Sequence, residues 1–106
     1  MMNPCYRGYV LFRLARIGAE KRVVEAILKH VPPDGSKWPV SYAAATRGMW
    51  DVVVEVTFTD LAELDKVVTF ARTNPEMQEL VEETTTLLST RPTFEPEDLE
   101  EQPGKI

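Results

Sequence analysis

The stretch DVVVEVTFT, Asp51 to Thr59, alternates without interruption: Val52, Val54, Val56 and Phe58 on one side, Val53, Glu55, Thr57 and Thr59 on the other. A helix would spread the four large apolar groups around its axis, whereas a strand puts them all on one face. The segment is predicted to be a strand with a core face and a mixed face. Such a strand needs pairing partners and a second layer to cover its apolar side.

The flanking sequence supplies both. RGYVLFRLA, Arg7 to Ala15, reads as a strand, and Gly18 interrupts it. AEKRVVEAILKH, Ala19 to His30, has Val23, Val24, Ile27 and Leu28 at helical spacing, and Pro32-Pro33 stop it. A loop rich in Pro and Gly, Pro32 to Pro39, leads to a second strand, Val40 to Thr46. After the third strand, Thr59 or Asp60 caps a second helix with Leu61, Leu64, Val67, Val68 and Ala71 as its buried stripe. Asn74-Pro75 ends that helix. EMQELV reads as a short bridge to a fourth strand, Glu82 to Ser89. The order strand, helix, strand, strand, helix, strand predicts an α+β, ferredoxin-like βαββαβ fold, a four-stranded antiparallel sheet with two helices on one face.

Two helices leave the other face of the sheet open. On the first strand both alternating sets are largely apolar: Val10, Phe12 and Leu14, then Tyr9, Leu11 and Ala15 around Arg13. A mixed apolar strip on a chain of 106 residues favours a subunit interface over a solvated face. In it Arg13 is expected to pair with Glu55.

The formal net charge of -5 is unevenly spread. Residues 93–106 carry five acids and one base, while residues 1–92 carry twelve acids and eleven bases. The expected organisation is a domain over 1–92 and an acidic, Pro-rich tail over 93–106. A nearly neutral body lacks the positive field of a nucleic-acid binder, so no direct nucleic-acid partner is expected. The third strand also offers Val residues where an RNA-binding sheet needs stacking aromatics. No apolar run reaches the ~20 residues of a membrane span, so no membrane partner is expected either. The N-terminus is too interrupted by Arg and Gly for a signal peptide. The single cysteine, Cys5, fits a reducing cytoplasm.

The residues of chemistry are sparse. His30, the only histidine, falls at a helix end, where it suits the helix dipole. One His and one Cys far apart have no metal-ligand spacing, and neither nucleotide-binding nor nucleophile-elbow motifs occur. Glu82 and Glu83 are adjacent, so on a strand they point to opposite faces and make no acid/base pair. No catalytic residue, no metal and no cofactor is expected.

The remaining feature is TRGMWD, Thr46 to Asp51, between the second and third strands. Read alone it is a hairpin turn permitted by Gly48. Read with its surroundings, VSYAAATRGMWD followed by VVVEVTFTDLAELDKVV, it resembles the ligand-binding RAM domain of the Lrp/AsnC transcription regulators. The match lies in Val40, Gly48, Trp50 and Asp51, then VVVEV and DLAEL, with VEETTTLL, Val81 to Leu88, similar to the family's last strand. It covers roughly Arg7 to Arg91. Trp50 stands where the family usually has Tyr, and the loops PPDGSKWP and NPEMQEL are longer than usual. Only about six residues precede the first strand, so the chain looks like a stand-alone RAM protein without the helix-turn-helix domain. The resemblance implies a dimer formed through the sheets, dimers joined into rings (commonly octameric), and an amino-acid effector between dimers. It implicates Thr46, Arg47, Gly48, Met49, Trp50 and Asp51, with Thr84 and Thr86, as ligand-binding residues.

The expected function is a stand-alone amino-acid or metabolite-binding regulatory module. It would act through oligomerisation and by association with full-length Lrp/AsnC regulators. The alternatives are a small dimeric α+β-barrel enzyme and a structural oligomerisation protein with no ligand.

Overall fold

The computed structural model describes residues 5–89. The expectations for the tail over 93–106, the domain end at 92 and the Arg91-Pro92 break lie outside the described residues.

The alternating segment is the strand β3, Val52–Phe58, and Val52, Val54, Val56 and Phe58 are all buried. Its neighbours are β1, Tyr6–Leu14, and β2, Val40–Ala45, both antiparallel to it. The last strand, β4, Val81–Leu88, pairs with the other edge of β1, so the sheet order is β2-β3-β1-β4. This is the ferredoxin-like arrangement, with the two strands richest in apolar residues at the centre. The helices α1, Glu20–Lys29, and α2, Leu61–Thr73, lie on one face. Between them and the sheet, Val10, Phe12, Val23, Ile27, Leu64 and Val67 form the core with the β3 set, and no buried polar or charged side chain interrupts it among the described residues.

Gly8 sits on the covered face of β1, opposite Val56. A Cβ there would lie 3.1 Å from the Leu64 side chain and 3.4 Å from those of Leu88 and Phe58. The missing side chain lets α2 settle onto the sheet.

Three details differ from the sequence reading. EMQELV is not a bridge: Pro75–Leu80 forms a short helix, α3, so three helices, not two, accompany the sheet. Asn74 ends α2 and starts α3, its side chain accepting from the Met77 amide at 3.1 Å while Pro75 occupies the first helical position. Met77 and Leu80 are buried and extend the core. In α1, Leu28 is 52 % exposed; at about 100° per residue it lies roughly 140° round from Val23. Leu61, in the first turn of α2, is 55 % exposed for the same reason, and Phe70 is buried instead.

The 31–39 loop folds back on the helices. The Trp38 indole donates to the Ile27 carbonyl at 2.8 Å. Its ring meets His30 and Phe70 edge-on, with centroids 4.5 and 5.5 Å away. Trp38 is thereby a packing residue that ties the loop to α1 and α2. A shallow groove of about 550 Å³ runs beside it, lined by His30, Asp34, Trp38, Lys66, Thr69 and Phe70 among others.

Candidate functional site at the 46–51 hairpin

The Thr46 amide donates to the Asp51 carbonyl at 2.9 Å and closes the hairpin around Arg47, Gly48, Met49 and Trp50. The Thr46 hydroxyl donates to the Trp50 carbonyl at 2.7 Å and braces it from inside. Gly48 has φ +116°, a conformation that side chains with a Cβ rarely adopt, and open space surrounds it. Arg47 and Met49 are exposed, Met49 to 72 %. The tip therefore projects from the sheet and presents an apolar side chain to solvent.

Asp51 anchors the hairpin to the centre of the sheet. Its amide donates to the Phe12 carbonyl at 2.8 Å, and its carboxylate Oδ2 accepts from the Leu14 amide at 2.8 Å. The second bond matters because the Leu14 amide points to the β3 side of β1, where the pairing with β3 ends at Phe12–Val52. A side-chain oxygen here supplies an acceptor for the Leu14 amide just past the end of that ladder.

Trp50 faces the open side of the sheet. The Arg13 guanidinium carbon lies 5.0 Å from the centroid of its ring, within cation–π range. On its other flank Arg13 meets Glu83 of β4, Nη1 to Oε1 2.9 Å. Glu83, Arg13 and Trp50 thus form a row across the end of the open face. Within one chain Arg13 and Glu55 do not pair, and the pairing expected at a subunit interface concerns two chains. Glu55 is in register with Tyr9, four positions from Arg13, a separation of about 13 Å at roughly 3.3 Å per residue. Glu55 is instead held by the Tyr9 hydroxyl at 3.2 Å and the Ser41 hydroxyl at 2.9 Å, with Arg7 at 4.0 Å.

Thr84 and Thr86 are in register with Phe12 and Val10, whose side chains face the helices. The two threonines therefore belong to the helix side of β4, and the Trp50 ring to the open side. Thr84 lines a recess of about 530 Å³ with Arg72, Gln78 and Glu82. One chain brings together Thr46, Gly48, Trp50 and Asp51, and does not bring Thr84 or Thr86 to them. Sequence reading passed over Arg13 and Glu83 as site residues. Nothing local marks them; only the β1–β4 register sets them side by side.

Between this polar row and the Glu55 cluster, the open face carries a strip of apolar side chains with Thr85 among them. Leu11 and Val53 pair across β1 and β3 with Thr85 and Ala44 in register beside them, and Leu87 and Tyr42 flank the neighbouring Tyr9–Glu55 pair on the outer strands. Tyr42 and Leu87 are 56 % and 53 % exposed.

Neither a family model nor a curated protein sequence matches the chain. Solved structures do. TTHA0845 from Thermus thermophilus is 31 % identical, with a TM-score of 0.62 over 85 % of this chain and 99 % of that one. An AsnC family transcriptional regulator from Agrobacterium tumefaciens gives a TM-score of 0.60 at 19 % identity, over 92 % of this chain and 60 % of its own. The chain has a RAM-like fold. The regulator NMB0573 from Neisseria meningitidis, solved as a complex with L-Met, aligns at 12 % identity with a TM-score of 0.54, over 84 % of this chain and 52 % of its own. The RAM-like domain thus spans a little over half the length of these two regulators. Among the described residues no helix is long and apolar enough to cross a membrane.

Proposed function

We propose that this RAM-like chain is a regulatory binding module. It binds an amino acid or related metabolite beside the 46–51 hairpin and couples that binding to self-association through the open sheet face. The observation that carries this reading is the joint placement of the hairpin and the apolar strip on that face. The exposed turn amides suit an α-carboxylate, and Trp50 and Met49 offer apolar contact to a side chain. Thr84 and Thr86 lie on the other face of the same chain, so a site that includes them is completed by a second subunit. That arrangement makes ligand affinity depend on assembly, and assembly on ligand. The fold shared with an L-Met-bound regulator supports an amino-acid effector. The same sheet-to-sheet contact would let the module join full-length regulators in the cytoplasm, up to a closed ring.

The module acts by binding, not by catalysis. In its support, the space between helices and sheet, where an enzyme of this architecture needs its pocket, is filled by apolar side chains.

A thermal-shift screen against the twenty amino acids tests the reading. Ligand at about 100 times its Kd adds about 2.7 kcal/mol, which raises the Tm of a domain this size by roughly 10 °C. A shift with one amino acid or a related group of them is the expected result. No shift with any of them, at millimolar concentration, contradicts amino-acid sensing.

A further inference from the structure

We propose that Arg13 and Glu83 recognise the two charged ends of a free α-amino acid, Arg13 the carboxylate and Glu83 the ammonium, with the Trp50 ring as one wall. This rests on the reading of the hairpin as an effector site and says which groups read the ligand.

Three observations lead to it. The first is what Asp51 does. Its Oδ2 accepts from the Leu14 amide at 2.8 Å and holds the hairpin to β1. Part of the Asp51 carboxylate is thus committed to the backbone, whereas a carboxylate on the same face with no backbone amide to hold is the freer acceptor for an ammonium group. Glu83 is that carboxylate: it stands across from Arg13 on β4 with its side chain half exposed.

The second is the state of Arg13. The guanidinium is positioned twice, by the Trp50 ring at 5.0 Å and by Glu83 at 2.9 Å. Its side chain is still 41 % exposed. Its planar fork carries five N–H donors, and the contact to Glu83 engages Nη1. The remaining donors can take a carboxylate in the two-point geometry that suits a guanidinium.

The third is the weakness of the resident pair. Both partners are substantially exposed, so water screens their attraction and the pair contributes little to the fold. A zwitterion inserted between them replaces one ion pair by two, while the cation–π contact to Trp50 is retained. The groups are thus arranged in advance for opposite charges a few ångströms apart, which is the pattern of an α-amino acid and not of a simple carboxylic acid or amine.

The test uses the full chain, the amino acid that binds most tightly in a calorimetric screen of the twenty, and that ligand's N-acetyl and carboxamide derivatives. The variants are Arg13→Gln and Glu83→Gln, each checked for wild-type folding by circular dichroism. Wild type should bind the free amino acid at least tenfold more tightly than either derivative. Arg13→Gln should lose at least tenfold in affinity and no longer distinguish the acid from its carboxamide. Glu83→Gln should lose as much and no longer distinguish the free amine from its N-acetyl form. If both variants keep wild-type affinity and discrimination, or only one loses them, the paired assignment is overturned while the effector-site reading stands. If wild type binds none of the twenty, both readings fall.

Discussion

Two glycines have testable, opposite reasons for being glycine. At Gly48 the backbone is the reason: with φ +116° and no neighbour within 4 Å, an alanine has room and the wrong torsion. Gly48→Ala should cost about 1–2 kcal/mol, the scale of forcing a Cβ into positive φ. At Gly8 the neighbours are the reason, since a Cβ would meet Leu64 at 3.1 Å. Gly8→Ala should cost about 1–3 kcal/mol through overpacking, and Leu64→Ala in the same chain should recover part of that loss. Chemical denaturation of Gly48→Ala, Gly8→Ala, Leu64→Ala and the Gly8→Ala/Leu64→Ala double variant measures these effects, the last three with wild type forming a double-mutant cycle. A cycle in which the Leu64 change gives Gly8→Ala no relief would contradict the close-approach account. The turn glycine was legible in the sequence, because a Gly between two strand patterns has few other uses. Gly8 was not, because its reason lies in a side chain more than fifty positions away.

At the scale of elements, α2 is held at its start by a reciprocal cap. Asp60 accepts from the Ala62 amide at 3.0 Å, and Glu63 reaches back to the amides of Asp60 and Thr59 at 3.2 and 3.1 Å. The Thr59 amide is the main influence holding the Glu63 carboxyl below its ordinary value of 4.5; burial opposes it, and the Asp60 amide, the Thr59 hydroxyl and the Lys37 charge add to the lowering. A carboxyl whose folded pKa is depressed stabilises the fold above its unfolded pKa, and that contribution is lost as pH falls through the folded value. Glu63→Gln should therefore be less stable than wild type at pH 7, and the gap should close as pH falls below 4.5. Urea melts at pH 7, 4.5 and 3 would show this; a gap independent of pH would contradict it. The α2 cap was readable, since Asp60 and Glu63 stand three apart before an apolar run. The same chemistry at Asn74-Pro75 was read only as a stop. Asn with Pro at the next position is also a start, and the six residues of α3 are too few for helical periodicity to announce themselves. Asn74→Ala, which removes the acceptor for the Met77 amide, should cost about 1 kcal/mol.

At the scale of the whole molecule, the strand order and the covered face followed from one alternating strand and two amphipathic helices. The candidate site did not follow as completely. Its hairpin is contiguous and carries a glycine, so sequence can find it. Arg13 and Glu83 meet only because β4 pairs with β1, a register that no local pattern in the sequence announces. Leu11 and Val53 lie near the centre of the open face, so Leu11→Lys should leave the core and the fold intact while blocking sheet-to-sheet contact. The measurement that decides is solution mass by light scattering across a concentration series, with and without the binding amino acid, for wild type and Leu11→Lys. The account predicts an even-numbered wild-type oligomer whose mass distribution shifts with ligand, and a folded, monomeric Leu11→Lys. A wild-type protein that stays monomeric at every concentration, with or without ligand, would contradict it.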